Sequence, residues 1–310
     1  MVRHKLRSSD FLNLDMLNGD ELEDLLDEAL RLKAEGVKGF RPLAHRTIGL
    51  LFEKPSTRTR VSFEVAVITL GGHPLTLSGG ELQLGRGETI EDTGRVLSRY
   101  VDGLVVRTFG HDRLTALAAA SGVPVINALT DLCHPCQALA DMLTIMEYKG
   151  SLAGLKLAYV GDGNNVAHSL MRAGTLLGMN VTVSTPESHA PEARIIEECI
   201  EHCETYGSSM ELGHDPTYGV RGADIVYTDA WVSMGAGEDP ESAREAFKGF
   251  QVNDELLSGA SDDVMVMHCL PAHRGEEITD EVIDGSRSAV WDQAENRLHA
   301  QVALLGMIFS

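Results

Sequence analysis

The chain has 310 residues, about twice the usual size of one domain, so we expect two packed domains. Its 46 acidic and 26 basic residues give a formal net charge of −20, which argues against nucleic acid and anionic membranes as partners. No apolar run approaches the roughly 18 residues of a membrane-spanning helix, and no apolar signal core follows the basic start, so we expect an unexported protein.

The cysteine count and the choice of cations add two expectations. Five cysteines are too few to cross-link a chain of this length, which favours a reducing cytoplasm. Nineteen of the cations are arginines and only seven are lysines. We interpret this acidic, lysine-poor surface as that of a protein from a high-salt cytoplasm, because salt screens self-repulsion. An ordinary acidic enzyme is the alternative.

Short β-rich segments alternate with helical patterns along the whole chain. This order predicts an α/β fold of two doubly wound parallel-sheet domains. In the first half, the predicted strands are 47–52, 74–77, 104–107 and 123–127. The predicted helices between them are 21–33, 58–70, 90–99 and 113–120.

A second series of predicted strands and helices begins near residue 155. Its strands are 155–160, 181–184, 224–227 and 264–268, and its clearest helices are 166–177 and 192–202. A helix over 137–148 would bridge the two domains. We therefore predict a first domain over 1–136 and a second over 137–293, with a C-terminal helix over 294–310 that packs back on the first.

The segment 37–60 is a basic stretch in an acidic chain. It holds six cations and a single acid, Glu53. A predicted strand ends here and a predicted helix starts near Ser56. The free N–H groups of a helix N-terminus bind phosphate, and hydroxyl and arginine side chains add further donors. A simple helix cap with surface arginines is the alternative.

The sequence of this turn, Phe-Glu-Lys-Pro-Ser-Thr-Arg-Thr-Arg-Val-Ser-Phe-Glu over residues 52–64, resembles the carbamoyl-phosphate signature of the aspartate and ornithine carbamoyltransferase family. The resemblance extends over about residues 11–300, with the family's motifs in order. It implies that the phosphate is held by four consecutive residues, Ser56, Thr57, Arg58 and Thr59. Thr59 would also reach the carbamoyl oxygen.

Further positions match the family where predicted elements meet. Arg107 closes a strand, and His134-Pro135-Cys136-Gln137 opens the predicted bridging helix. The resemblance implies that Arg107 and His134 donate to the carbamoyl oxygen, on which amine attack builds negative charge. It also implies that Gln137 contacts the carbamoyl amide and that Arg297 lies near the phosphate. A capping or core histidine is the alternative for His134.

Cys133 and Cys136 enclose His134 in a Cys-x-x-Cys spacing. A redox pair or half of a zinc site is one interpretation. Packing in the interior is the other, and we favour it because no second pair with ligand spacing occurs. The reaction that the resemblance implies requires no metal and no organic cofactor.

Residues 161–166, Gly-Asp-Gly-Asn-Asn-Val, follow a predicted strand and open a predicted helix. The order is that of a dinucleotide fingerprint except that Val166 replaces the third glycine. An NAD-dependent dehydrogenase therefore stays an alternative, weakly supported by Glu187 after the next strand. The loop is more similar to that of the ornithine enzymes, which implies that Asn165 binds the amino-acid end of ornithine.

A later loop resembles the ornithine branch of the family. It covers residues 229–235, Asp-Ala-Trp-Val-Ser-Met-Gly, directly after a predicted strand. The resemblance implies that Asp229 pairs with the α-ammonium group of ornithine, while Ser233 and Met234 lie over the substrate. An exposed turn is the alternative.

A second loop of the ornithine type covers residues 268–271, His-Cys-Leu-Pro. It has a cysteine where aspartate enzymes usually have proline. The resemblance implies that Cys269 and the Leu270 carbonyl contact the side-chain amine beside carbamoyl phosphate. An inert buried cysteine is the alternative.

The resemblance also implies an assembly and a reaction. Gln83 falls in a loop that family members lend to a neighbouring subunit's site, which implies a homo-oligomer, a trimer or a multiple of trimers, with shared active sites. The motifs imply carbamoyl transfer from carbamoyl phosphate to ornithine, giving citrulline and phosphate. Other acceptors (aspartate, putrescine, an acylated ornithine) and a non-catalytic amino-acid-binding protein are alternatives. The sequence leaves open arginine biosynthesis or the arginine deiminase pathway.

Overall fold

The computed structural model describes residues 6–81, 87–231 and 240–310. The chain divides into two compact units: unit 1 comprises Met1–Leu143 and Glu295–Ser310, and unit 2 comprises Thr144–Ala294. Each contains one parallel sheet with helices, which confirms the predicted α/β class. Within the described ranges, no helix has both the length and the apolar character needed to span a membrane.

Unit 1 contains a four-stranded parallel sheet in the order β2-β1-β3-β4. Strand β1 reads Thr-Ile-Gly-Leu-Leu-Phe and is buried almost throughout, as a central parallel strand covered on both faces must be. The strands are β1 (Thr47–Phe52), β2 (His73–Ser78), β3 (Gly103–Arg107) and β4 (Val125–Leu129).

The helices of unit 1 connect these strands. Helix α1 begins with a capping box in which Asn18 and Glu21 satisfy each other's backbone N–H groups, and it buries an apolar stripe containing Leu22, Leu25 and Leu32. The helices are α1 (Gly19–Glu35), α2 (Thr57–Thr69), α3 (Ile90–Leu97), α4 (His111–Ala120) and α5 (Pro135–Lys149). The border between the units falls inside α5, and the chain returns to unit 1 inside the last helix.

Unit 2 contains a five-stranded parallel sheet in the order β7-β6-β5-β8-β9. Its central strands are buried, whereas β7 is an edge strand that is largely open to solvent. The strands are β5 (Lys156–Val160), β6 (Asn180–Ser184), β7 (Ser209–Gly213), β8 (Ile225–Thr228) and β9 (Met265–His268).

The helices of unit 2 include a central one, α6, which is buried from Val166 to Leu176. The helices are α6 (Asn165–Leu176), α7 (Ala193–Tyr206), α8 (Pro216–Gly219), α9 (Pro240–Ala246), α10 (Asp254–Leu257), α11 (Asp280–Ile283) and α12 (Val290–Phe309). The C-terminal part of α12 belongs to unit 1, where the Phe309 carbonyl accepts a hydrogen bond from Arg46 at 3.0 Å.

The sequence predicted β1 with its observed bounds and the other predicted strands within about two residues at each end. It missed β7 entirely. This strand has only Met210 and Leu212 as large apolar residues, and its exposed position at the sheet edge removes the need for a buried, β-branched segment. The second domain therefore has one strand more than the sequence pattern indicated.

Candidate active site

In unit 1, the strand order changes direction between β1 and β3. The chain proceeds outward from β1 to β2 and then, across the sheet, to β3 and β4, so the connections after β1 and β3 diverge. Ligands of doubly wound sheets bind at such a switch point, beside the carboxyl ends of the strands. The predicted phosphate turn follows β1, and Arg107 ends β3 in register with Phe52.

The turn after β1 opens α2 at Thr57, with Ser56 as its N-cap residue. The Ser56 side chain makes no capping hydrogen bond, although serine is a good cap. The Ser56 hydroxyl and the first N–H groups of the helix are therefore not hydrogen-bonded to each other. Thr59 is buried in the first turn, and its hydroxyl accepts a hydrogen bond from the Arg297 guanidinium. Partly exposed Arg58 and exposed Thr57 complete the turn.

Arg107 lies at an irregularity in the sheet. The pairing of β3 with β4 shifts by one residue between Val106 and Arg107. Such bulges redirect a side chain at the end of a strand. Arg107 is buried, and its backbone carbonyl accepts a hydrogen bond from the Glu53 amide at 2.9 Å.

His134 is buried immediately before α5, close to two cations. Burial is the main cause that holds the pKa of His134 well below its ordinary value of 6.5, and the charges of Arg297 and Arg107 lower it further. The imidazole is therefore neutral at pH 7 and keeps one N–H to donate. Gln137 is buried on the first turn of the same helix.

The acid of the basic segment, Glu53, has its own partners. Its carboxylate accepts hydrogen bonds from the Thr108 hydroxyl and from Arg113, whose Nη2 lies 2.8 Å from Oε1. Lys54 is in turn paired with Asp131. The negative charge of Glu53 is therefore compensated locally and does not oppose an anion bound at the turn.

The structure thus brings four polar groups of unit 1 together around the N-terminus of α2. Arg297 contacts Thr59, and both Arg297 and Arg107 are close enough to His134 to lower its pKa. Two guanidinium groups, a hydroxyl and a neutral imidazole can all donate hydrogen bonds. This setting suits a small anion that carries a carbonyl group.

In unit 2, the switch point lies between β5 and β8. From β5 the chain proceeds to β6 and β7 on one side, then returns to β8 and β9 on the other. The loop 161–164 follows β5, Asp229 follows β8, and Cys269 follows β9. The predicted ornithine-binding segments therefore follow adjacent carboxyl ends, the usual place for a ligand.

Asp229 is the centre of this group. Its Oδ2 accepts a hydrogen bond from Asn164 Nδ2 at 2.9 Å, and its Oδ1 accepts from the Ala230 amide at 2.8 Å. Because β8 and β9 pair in register to their last residues, the residues that follow the two strands are neighbours. The Cys269 thiol accordingly donates to Asp229 Oδ1 at 2.9 Å.

The segment after β9 has an unusual backbone. Leu270 has φ 57°, in the left-handed region that residues with a side chain seldom adopt. Its amide donates to Nδ1 of His268 at 2.8 Å, which supports this conformation. Cys269 and Leu270 are both partly exposed.

The two adjacent asparagines at the start of α6 make different contacts. Asn165 is the first residue of α6 and is partly exposed. Asn164, which the sequence analysis did not select, both caps the helix through Oδ1 and holds Asp229. Its position as a potential N-cap before a buried helix was the signal that could have identified it. Three predicted site residues lie outside the described residues: Gln83, Ser233 and Met234.

Cys133 and Cys136 are buried and form no disulfide. The Cys136 Sγ donates to the Asn127 carbonyl at 3.3 Å, and burial raises the pKa of this thiol to about 12. A thiol with so high a pKa is a poor nucleophile and a poor metal ligand at pH 7. These contacts agree with the packing interpretation.

Comparison with known proteins identifies the class. Residues 9–147 match the family model "Aspartate/ornithine carbamoyltransferase, carbamoyl-P binding domain", and residues 153–308 match "Aspartate/ornithine carbamoyltransferase, Asp/Orn binding domain". The chain belongs to the aspartate/ornithine carbamoyltransferase family. It is a transferase of that type, and the family resemblance noted from its motifs is confirmed.

Individual relatives are similar over their whole length. The ornithine carbamoyltransferase of Acidothermus cellulolyticus is 54% identical over 309 residues, covering 99% of this chain and 97% of the relative. The solved structure of the Pyrococcus furiosus enzyme, 52% identical, superposes with a TM-score of 0.94 and covers 98% of this chain and 97% of its own. The solved structure of the Thermus thermophilus enzyme, 41% identical, superposes with a TM-score of 0.88 and covers 98% of this chain and 99% of its own.

Proposed function

We propose that the protein is an ornithine carbamoyltransferase, which converts carbamoyl phosphate and L-ornithine to L-citrulline and phosphate. The observation that carries the proposal is the donor cluster of unit 1, in which buried, neutral His134 lies close to Arg107 and Arg297 beside the N-terminus of α2. A dianionic phosphate with an adjacent carbonyl matches this arrangement of charge and donors.

Carbamoyl phosphate is held by unit 1. Its carbonyl oxygen takes donors from Thr59, Arg107 and His134. These donors are preorganised, so they stabilise the negative charge that grows on that oxygen without rearrangement. Gln137 takes the carbamoyl amide, and Arg297 stabilises the phosphate from α12. The phosphate takes the N–H groups and side chains of the turn formed by Ser56, Thr57, Arg58 and Thr59.

Ornithine is held by unit 2. Asn165 and Asp229 bind its amino-acid end, and Ser233 and Met234 lie over it. The Cys269 thiol and the adjacent Leu270 carbonyl orient the side-chain amine. That amine must be neutral to attack, and it must reach the carbamoyl carbon. Holding the two reactants in line supplies much of the rate, and the departing phosphate can accept the proton.

The acceptor is tested by offering carbamoyl phosphate with ornithine, aspartate, putrescine or acetylornithine and measuring each carbamoylated product and phosphate. We expect citrulline to be formed with ornithine at a kcat/KM above that of every other acceptor. Citrulline formation slower than carbamoylaspartate or carbamoylputrescine formation would assign a different acceptor. Binding of amino acid without phosphate release would indicate a non-catalytic protein.

We propose that the chain forms a homotrimer or a multiple of trimers, with Gln83 entering the neighbouring subunit's site. An apolar stripe on α2 supports self-association: Val61, Val65 and Ile68 lie on one face of the helix and are 46%, 39% and 60% exposed. Exposed apolar side chains in a row are typical of surfaces that a partner covers.

We propose a cytoplasmic location, arginine metabolism as the role, and adaptation to high salt. None of the five cysteines forms a disulfide in the structure, which agrees with a reducing compartment. The net charge of −20 and the scarcity of lysine support the salt proposal. The chemistry allows both arginine biosynthesis and the arginine deiminase pathway, and the flux through partner enzymes decides between them.

A further inference from the structure

A buried polar chain lies behind the segment that contains Cys269 and Leu270. Its members are Gln293, His268 and Glu277, which are fully buried. Gln293 Oε1 accepts a hydrogen bond from the His268 amide at 3.0 Å, and its Nε2 donates to the Tyr227 hydroxyl at 3.0 Å. Buried polar groups of this kind are retained when they fix a geometry, because each one is costly to desolvate.

The hydrogen bonds define the tautomer of His268. The Leu270 amide can only donate, so Nδ1 of His268, 2.8 Å away, must accept. The ring proton of the neutral imidazole is then on Nε2, which lies 3.0 Å from Oε1 of Glu277. Glu277 therefore supplies the acceptor that keeps Nδ1 available for Leu270.

Glu277 also fixes the other end of the same segment. Its Oε1 accepts a hydrogen bond from the His273 amide at 2.6 Å. One carboxylate oxygen thus holds His273 directly and Leu270 through His268. Leu270, the first of these two anchors, has the left-handed conformation, and directly before it lies the thiol that contacts Asp229.

The second carboxylate oxygen of Glu277, Oε2, lost its contact with water on burial and gained no hydrogen bond among the described residues. Nδ1 of His273 is 3.8 Å away from it. A buried carboxylate oxygen without a hydrogen bond lowers the stability of the fold, so its presence calls for an explanation. The contacts of Oε1 with His268 and His273 support a role for Glu277 in positioning the segment after β9.

We propose that Glu277 is a positioning residue of the amine-binding half-site, acting through His268 on Cys269 and Leu270. It does not touch substrate. The inference rests on the proposed function, because it assumes that this segment orients the acceptor amine. Removal of the Glu277 carboxylate should therefore impair the use of ornithine and leave the binding of carbamoyl phosphate by unit 1 unchanged.

The adjacent residue provides a matched control. Glu276 has the same side chain, but it is partly exposed and pairs with Arg244 at 2.8 Å. The comparison sets Glu277→Ala and Glu277→Gln against Glu276→Ala. E277A removes the accepting oxygen, whereas the amide introduced by E277Q retains an oxygen that can accept from the His268 ring and the His273 amide.

In steady-state kinetics, we expect the loss of Glu277 to affect ornithine and carbamoyl phosphate differently. E277A lowers kcat/KM for ornithine by about 10- to 100-fold, the usual effect of losing a group that orients a ligand-contacting residue, while the KM for carbamoyl phosphate changes by less than about twofold. E277Q recovers most of the loss, and E276A matches the wild type. If E277A does not fold, E277D withdraws the oxygen by one methylene and takes its place in the comparison.

A second readout does not depend on turnover. In a Cys203→Ser background, which removes the other partly exposed thiol, Cys269 is the accessible site for a thiol reagent. We expect E277A to speed Cys269 modification several-fold, because the contact with Asp229 is loosened, and E276A to leave the rate unchanged. Equal ornithine kcat/KM and equal Cys269 rates in E277A and E276A would overturn the inference. An inactive wild type would instead overturn the proposed function, and the thiol rates would still decide the role of Glu277.

Discussion

The buried carboxylate of Asp141 accepts a hydrogen bond from Nε2 of Gln137, 2.8 Å away and one helical turn earlier on α5. The amino end of the Gln137 amide therefore faces Asp141. The opposite atom, Oε1, is buried and makes no hydrogen bond among the described residues. It is placed to accept from an amino group, which carbamoyl phosphate has and acetyl phosphate lacks.

The Gln137 amide should therefore discriminate between these two ligands. We expect Asp141→Asn, which allows either end of the amide to face residue 141, to weaken carbamoyl phosphate binding about fivefold, the value of one neutral hydrogen bond. The inhibition constant of acetyl phosphate should not change. The measurement is the ratio of the affinities for carbamoyl phosphate and acetyl phosphate in the variants D141N and Q137A. Asp92→Asn on the surface of α3 is the control. A parallel loss for both ligands would indicate general damage.

Arg107 is expected to stabilise the developing oxyanion. Arg107→Ala should lower turnover by on the order of 10² or more with the fold intact, because a preorganised donor to that charge is lost. Steady-state rates and circular dichroism test this. Arg95→Ala, which removes an exposed arginine paired with Asp92, serves as the control and should have normal turnover. An undiminished turnover number in R107A would contradict the assigned role.

The lowered pKa of His134 predicts a pH dependence of stability. In the unfolded chain this imidazole takes up a proton as pH falls through its ordinary value of 6.5, whereas in the folded protein it stays neutral until much lower pH. The unfolded state then binds more protons, so the free energy of unfolding decreases as pH falls below about 6.5. Above that pH neither state is protonated and the contribution is absent.

His134→Gln should therefore reduce the slope of unfolding free energy against pH between about 5 and 6.5, relative to the wild type. Denaturant titrations at several pH values measure that slope. His73→Gln, at an exposed position at the start of β2, provides a control that should keep the wild-type slope. Identical slopes in H134Q and the wild type would show that the folded pKa of His134 is not lowered.

The exposed apolar stripe of α2 predicts that copies of the chain associate through this face of the helix. Ile68→Glu places a charge among exposed apolar side chains, and burying an unpaired charge at an interface is costly, so we expect dissociation to smaller species. Sedimentation velocity measures the change. Ile200→Glu on α7 alters an isoleucine that is 49% exposed, compared with 60% for Ile68, and should leave the assembly intact. A wild type that sediments as a monomer would exclude the trimer.

The acidic composition predicts stabilisation by salt. In roughly 1 M KCl the Debye length falls to about 3 Å, which screens repulsion within a chain of net charge −20. Thermal unfolding across a KCl series is the measurement, and the midpoint should rise with salt. The same series in sucrose controls for solvent exclusion. Equal or greater stability in dilute buffer would remove the adaptation proposal.

The elements that the sequence predicted well are those in which one local pattern decides the structure. Strand β1 is an apolar run with clear ends, and α1 has a cap and a continuous stripe, so each is readable within a window of a few residues. Strand β7 is different. Its identity depends on pairing with β6, a strand well upstream in the chain, and its own residues are mostly polar and exposed.

The candidate site likewise contains features that a local sequence pattern reveals and features that depend on distant parts of the chain. Motifs within one turn, such as residues 56–59, could be selected from the sequence together with the family resemblance. The contacts of Asp229 with Asn164 and Cys269 depend on the register of β5, β8 and β9, and no local spacing encodes that register. The link between His268 and Glu277 was missed for the same reason, since it depends on how the intervening backbone bends.

The two switch points have a consequence for how the activity could diversify. The groups assigned to the carbamoyl donor belong to unit 1, while those assigned to the nucleophile follow β5, β8 and β9 of unit 2. Substitution or lengthening of the loops after β8 and β9 could therefore exchange one nucleophile for another while the leaving-group chemistry is inherited unchanged. A lineage built on this plan can change its product by remodelling one module at a time.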